Sequence, residues 1–152
     1  MMNNQFVVDA NVFAKLFIEE ADSNQAKNFM KHCIQHEISL LVPSLFTYEI
    51  LQIATYYAYP LPKALGIIDD YKAFNLSAVE LNVEQWELAG TITQSGHKQS
   101  GYPSLYDSCY HALAIKNDCL FVTADKRHAA KTESFGHLLL LKDWNTESNI
   151  AD

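Results

Sequence analysis

The chain has 152 residues, 49% of them hydrophobic, which is enough for one buried core and too little for two, so a single domain over residues 1–152 is expected. A formal net charge of -7 with one arginine, Arg127, excludes the basic stripe by which most nucleic-acid-binding proteins grip phosphate. Three cysteines, Cys33, Cys109 and Cys119, with no C-x-x-C pair, exclude a disulfide framework and a zinc knuckle and point to a reducing cytosol.

The first residues, Met1-Met2-Asn3-Asn4-Gln5, carry no basic or long apolar leader, and no stretch stays apolar for the roughly 18 residues of a membrane span. A soluble, cytoplasmic protein is expected. Phe6-Val7-Val8, ending at Asp9, reads as a buried strand, and Val12 to Ile18 and Ala26 to Ile34 have helical period. Leu40-Leu41-Val42 is a second strand, ended by Pro43-Ser44 and followed by a helix from Leu45 to Tyr57. Tyr59-Pro60-Leu61-Pro62 must interrupt that helix, so Ala64 to Phe74 forms another at an angle to it. Ala78 to Leu81 is a weaker strand signal, then Val83 to Thr93 is helical, Ser95 to Pro103 is a polar loop, and Leu105 to Ile115 is helical again. Leu120 to Thr123 and His137 to Leu141 complete the strands. Ser44 and Ser104 can cap the helices that follow them, Pro62 suits a first turn, and Asn82-Val83-Glu84-Gln85 has the form of a capping box. Strands that alternate with helices imply a parallel sheet covered on both faces, a three-layer α/β domain with right-handed connections.

In such a sheet, ligands bind beyond the carboxyl ends of the strands, where the strand order reverses. Asp9 and Asp125 lie just past two strand ends, while Glu49 and Asp107 lie early in helices that can reach the same rim. An aspartate in these places is ordinarily a cap. Four carboxylates that converge without basic partners, however, repel one another and persist only if protons or cations neutralise them. Hard oxygen ligands in a half-open site suit Mg²⁺ or Mn²⁺, which would also invert the local field that a phosphate meets. Asp9 is followed by Ala10-Asn11, so the D-x-D pair of haloacid-dehalogenase phosphatases is missing, as is the acidic pair of a receiver domain. His32 and His36 have the spacing of a zinc pair but no third ligand, and read as a solvated helix face. Ser44 and Ser104 lack any triad partner. Tyr56, Tyr57 and Tyr59, with Phe46 and Tyr48, read as packing, and any exposed remainder suits a protein partner.

Four motifs then fall in one order. Val7-Val8-Asp9-Ala10-Asn11 resembles the opening hydrophobic-Asp-x-Asn/Ser motif of PIN domains, and Pro43-Ser44 with Glu49 resembles their P-S-x-x-x-x-E element. Tyr106-Asp107 with Ala112-Leu113-Ala114 resembles the Y-D-x-x-x-x-A-L-A helix, and Thr123-Ala124-Asp125 the T-x-D strand end. The likeness spans nearly the whole chain and implies a three-layer PIN-like fold with a central parallel sheet of four to five strands flanked by helices. It implies a Mg²⁺- or Mn²⁺-dependent endoribonuclease, and the short length is similar to VapC-type toxins, which a small antitoxin holds inactive. By the same resemblance, Asp9, Glu49 and Asp107 form the metal-ligand core, Asp125 is a fourth acid acting through water, and Asn11 and Thr123 orient those acids. The reaction expected is in-line hydrolysis of an RNA phosphodiester. Lys15, Lys126 and Arg127 lie near the acids in sequence and are the candidates for phosphate contacts. His111 departs from the family pattern, at a place usually apolar; it could point to the cleft, or be a hydrogen-bonded, partly buried histidine. A chain with one arginine holds RNA weakly, so a homodimer presenting one groove is expected, with Tyr56 to Pro62 available for subunit or antitoxin contact or for interior packing. The rival readings are a PIN fold without catalysis that serves as a binding module, and a metal-dependent phosphatase.

Overall fold

A computed structural model describes residues 4–96 and 101–146. Five strands, β1 (Gln5–Val8), β2 (Ser39–Pro43), β3 (Leu76–Val79), β4 (Leu120–Thr123) and β5 (Leu138–Leu140), form one sheet in the order β3-β2-β1-β4-β5, with every pairing parallel. Seven helices lie along the described chain: α1 (Ala10–Ala14), α2 (Ser23–Gln35), α3 (Leu45–Tyr56), α4 (Leu61–Phe74), α5 (Val83–Gln94), α6 (Leu105–Lys116) and α7 (Lys126–Lys131). None of the helices is long and apolar enough to cross a membrane.

The register shows why the sheet is covered on both faces. Val7 sits beside Leu41 and Phe121, so these three side chains share a face. Phe121 stacks on Tyr110 of α6, with centroids 5.6 Å apart, so α6 covers that face. The preceding residue on β1, Phe6, points the other way and meets Phe29 of α2 at 5.4 Å, and Phe29 in turn takes the edge of Trp144. The result is helix, sheet, helix, as the alternation of elements predicts. Because β1 is central and its neighbours on either side come from different halves of the chain, the order reverses between β1 and β4. That is where Asp9 and Asp125 emerge.

Several local signals hold. Ser104 Oγ accepts from the amides of Tyr106 and Asp107, the Asn82–Gln85 capping box is reciprocal, and Pro62 lies in the first turn of α4. The Tyr59–Pro62 break separates α3 from α4, with Ala58 in the left-handed region (φ 56°) at the turn. All three cysteines are free and buried.

Others shift. Ser44 does not cap α3: it is itself helical in conformation, and its hydroxyl donates to Glu80 Oε1 at 2.8 Å. Strand β3 runs two residues earlier than the Ala78–Leu81 signal, because it is an edge strand in which only Leu76 is fully buried. Helix α1 begins at Ala10 instead of Val12, started by the Asp9 cap. Helix α7 had no apolar stripe to announce it, since only His128 of its six residues is buried. The paired histidines are not both solvated: His32 is buried against Trp144, and His36 stacks on its outer face at 4.2 Å. Residues 97–100 of the Ser95–Pro103 loop and the leading Met1 to Asn3 lie outside the described residues.

Candidate acidic site at the strand switch point

Asp9 leaves β1 into the first turn of α1. Its Oδ1 accepts from the Asn11 amide (3.4 Å), and its Oδ2 accepts from the Thr123 hydroxyl (2.7 Å) at the end of β4. The same Thr123 oxygen accepts from the Asp125 amide at 3.0 Å, while Asn11 Oδ1 accepts from the Ala124 amide at 3.2 Å. The two strand ends are therefore stitched together by side chains on both. Asp125 turns the chain into α7 by accepting from the amides of Arg127 and His128 at 2.9 and 3.1 Å. Asp9 and Asp125 are thus helix caps, and caps at the switch point present their remaining oxygen surface to the same rim.

The other two acids arrive on helices. Glu49, one turn into α3, has its Oε1 held by the Tyr110 hydroxyl at 2.5 Å, and Tyr110 is wholly buried in α6. Asp107, in the first turn of α6, is hydrogen-bonded through its side chain to Asp125. Asp9, Glu49, Asp107 and Asn11 line one cavity of about 560 Å³, with Tyr48 and Tyr106 among its walls, and among the described residues no lysine, arginine or histidine contributes to that lining.

Crowded acids without a cationic neighbour are costly to ionise. Asp9 is pushed up to about 8, by burial first and then by the charges of Asp107 and Glu49, against the opposing hydrogen bonds from Thr123 and Asn11. Asp107 is pushed up to about 6, by burial and then by Asp125 and Glu49. Burial also raises Glu49, while the Tyr110 hydrogen bond works the other way by favouring the carboxylate. A hard divalent cation would relieve the same repulsion, and an all-oxygen donor set is what such a cation takes. Among the described residues no three His, Cys, Asp or Glu side chains converge closely enough to enclose an ion. The carboxylate oxygens that line the cavity are the hard donors of a cation such as Mg²⁺, which keeps several of its waters and takes one or two carboxylates.

The PIN domain family model matches residues 6–133. The chain belongs to the PIN-domain family. Its fold is similar to that of VapC20 of Mycobacterium tuberculosis, a sarcin-ricin loop cleaving toxin, with a TM-score of 0.64 at 14% identity over 83% of this chain and 93% of that one. No curated protein matches the chain.

Within this PIN domain the basic candidates do not reach the acids. Lys15 is buried, and its ammonium is held by Glu20 (2.8 Å) and Asp22 (2.9 Å). Burial alone would lower its pKa, but those two carboxylates outweigh it and the net shift is upward. Lys15 is therefore a structural ion pair that ties α1 to the turn before α2, and the phosphate contact read from its sequence position is set aside. Lys126 and Arg127 are exposed on α7, outside the lining of the acidic cavity.

His111 does not point into the cleft. The Gly136 carbonyl, 2.7 Å from Nε2, can only accept, so Nε2 carries the proton. Nδ1 of the neutral ring then accepts from His128 Nε2–H at 3.1 Å, which leaves the His128 Nδ1 lone pair buried and unpartnered. Burial lowers the pKa of both rings, His128 to about 4. The pair fastens α6 to α7 behind the acids.

Sequence reasoning missed Tyr110. A tyrosine three residues beyond Asp107 lies on the same helical side as that acid, one turn on, which was the available signal. Its partner Glu49 is 61 positions away and could not be read from spacing.

Proposed function

We propose that this PIN domain is a Mg²⁺- or Mn²⁺-dependent endoribonuclease acting in the cytoplasm as the toxin of a type II toxin-antitoxin pair. The observation that carries the proposal is the cavity that Asp9, Glu49 and Asp107 line together, with no basic side chain among its described lining residues and with Asp125 hydrogen-bonded to Asp107. When bound, the cation would supply charge neutralisation at the phosphodiester and lower the pKa of the attacking water. The chain's own residues would do the rest. Thr123 and Asn11 fix the Asp9 carboxylate, Tyr110 fixes that of Glu49, and the Asp107–Asp125 pair sits beside them to hold a proton released from water.

The toxin reading draws on the fold likeness to VapC20, 93% of which the match covers. Its partners would be RNA, a small antitoxin and a second copy of this chain. A basic antitoxin side chain placed against Asp9, Glu49 and Asp107 would compete with the cation for the same charges. Tyr56 and Tyr57, exposed at the end of α3, offer the contact surface for such a partner.

Incubating purified wild type and Asp9→Asn with RNA, in Mn²⁺ and in EDTA, tests the activity: cleavage is expected only for wild type with metal. Release of phosphate from nucleotides without RNA cleavage would make the protein a phosphatase. No turnover of either substrate would make it a binding module.

A further inference from the structure

The acidic cavity lacks what a phosphate backbone normally demands. Among the described residues no cationic side chain lines it, Lys15 is held by Glu20 and Asp22, and the chain as a whole carries a net charge of -7. A bound cation offsets part of this at the reacting phosphate, but it does nothing for the nucleotides on either side. Affinity for a strand must come from another source.

Two tyrosines at the cavity supply it. Tyr48 is 77% exposed on α3 and Tyr106 is 63% exposed on α6, although both are walls of the cavity. Each is the chain neighbour of an acid, Tyr48 of Glu49 and Tyr106 of Asp107, so each ring sits about 100° around its helix from a carboxylate. Among the described residues neither ring stacks on another aromatic ring, whereas Phe13, Phe17, Phe46 and Tyr59 all do. Rings left open beside a phosphodiester-cutting centre are suited to bases, because every base has a flat π face and stacking on an aromatic side chain is tolerant of sequence. The cavity, at about 560 Å³, is within the range of roughly 300–1,000 Å³ that takes a small ligand such as one nucleotide.

We infer that Tyr48 and Tyr106 are the residues on which the bases either side of the scissile phosphate stack, and that these two rings supply the affinity for the strand that the acidic cavity does not. The inference rests on the ribonuclease reading above and narrows it. A paired base has both faces covered by its neighbours in the helix, and only a single strand, loop or bulge can lay a base on a side chain.

The test measures binding of fluorescently labelled oligoribonucleotides to the full chain by anisotropy, with Ca²⁺ replacing Mg²⁺, alongside cleavage in Mn²⁺. Three probes are used: a single strand, its duplex, and the same strand with the bases removed around the cut site. Wild type should bind the single strand more tightly than the duplex. Tyr48→Leu and Tyr106→Leu should each weaken single-strand binding by about 5- to 150-fold, the equivalent of one lost stack. Tyr48→Phe and Tyr106→Phe should restore it, because the ring is what binds. On the base-free strand, wild type and the leucine variants should bind alike. Leucine variants that bind the intact single strand as wild type does would overturn the inference while leaving the nuclease standing. The same holds if they lose only a co-expressed antitoxin, which would make these rings a protein-docking surface. A wild type that neither binds nor cuts any RNA overturns the ribonuclease reading and this inference together.

Discussion

The hydroxyl of Thr123 donates to Asp9 Oδ2 at 2.7 Å across 114 positions of sequence, and the same oxygen accepts from the Asp125 amide at 3.0 Å. One buried hydroxyl at the end of β4 therefore aims the carboxylate at the end of β1 and starts the turn that places a fourth acid. Thr123→Val preserves the branched shape and the strand while removing both bonds. Outer partners of metal ligands typically contribute about 10- to 100-fold in affinity or activity, and the half-saturating Mn²⁺ concentration for cleavage should rise by that order. A rise in unfolding with no change in Mn²⁺ requirement would make Thr123 a strand-end residue only.

Asp9→Asn should keep the fold, because asparagine is as good a helix cap as aspartate. Cleavage should fall by more than about 100-fold, beyond the loss expected for an outer partner, since the charge that a cation needs is gone. A ligand that binds only the native state stabilises it by about 2.7 kcal/mol at a hundred times its Kd. Millimolar Mn²⁺ should therefore raise the melting temperature of wild type more than that of Asp9→Asn or Asp107→Asn. Equal shifts in all three would place the cation elsewhere.

Tyr110→Phe isolates a single atom. The ring keeps its stacking on Phe121, so the cost in stability should stay near the ~1 kcal/mol of one hydrogen bond. Glu49, however, loses the donor that favours its ionised form. The half-saturating cation concentration should rise by about 10- to 100-fold, and the effect should shrink at higher pH, where Glu49 ionises without help. A loss of activity that neither pH nor added cation restores would point to packing instead.

What could be read from the sequence followed from the kind of force involved. The buried strands β1, β2 and β4 and the order of elements were legible because continuous apolar runs between turn residues report burial directly. The acids Asp9 and Asp125 were legible because the chain must turn at a strand end. The Thr123 hydroxyl and the Asn11 backbone amide both hydrogen-bond the Asp9 carboxylate. Strand β3 and helix α7 blurred because an edge strand and a helix with one buried residue leave little apolar pattern. Tyr110–Glu49 and His111–His128 were invisible as pairs, since each joins elements whose proximity only the fold decides.

Lys15 shows the same limit in a charge. Sequence puts it six residues from Asp9, yet its ammonium sits between Glu20 and Asp22. Lys15→Met should cost about 1.5–3 kcal/mol, the range for hydrogen bonds to charged groups, and no more, because both carboxylates are partly exposed and water can replace the lysine. The KM for RNA should not change. A raised KM with unchanged melting temperature would return Lys15 to the substrate.

The raised pKa of Asp9 fixes how the metal-free protein responds to pH. With a native value of about 8 against an ordinary 3.8, the folded state holds a proton over that window which the unfolded state has released, so stability falls as pH rises through it. The buried histidines act with the opposite sign. His128, lowered to about 4, and His111, also lowered, stay neutral when folded and would protonate if unfolded, so they add stability as pH rises. Their contribution is half complete at about pH 6.5, the ordinary histidine value, and complete about one unit above it, while that of Asp107 ends about one unit above its own native value of about 6. Above that point Asp9 acts with little interference. In EDTA the melting temperature of wild type should drop between about pH 7.5 and 8.5, and Asp9→Asn should flatten that drop. Saturating Mn²⁺ should reverse the slope, because a cation takes the place of the proton and binds better as fewer protons compete. A metal-free wild type equally stable at both ends of the interval would mean that Asp9 is already ionised in the native state, with its repulsion from Asp107 relieved by water.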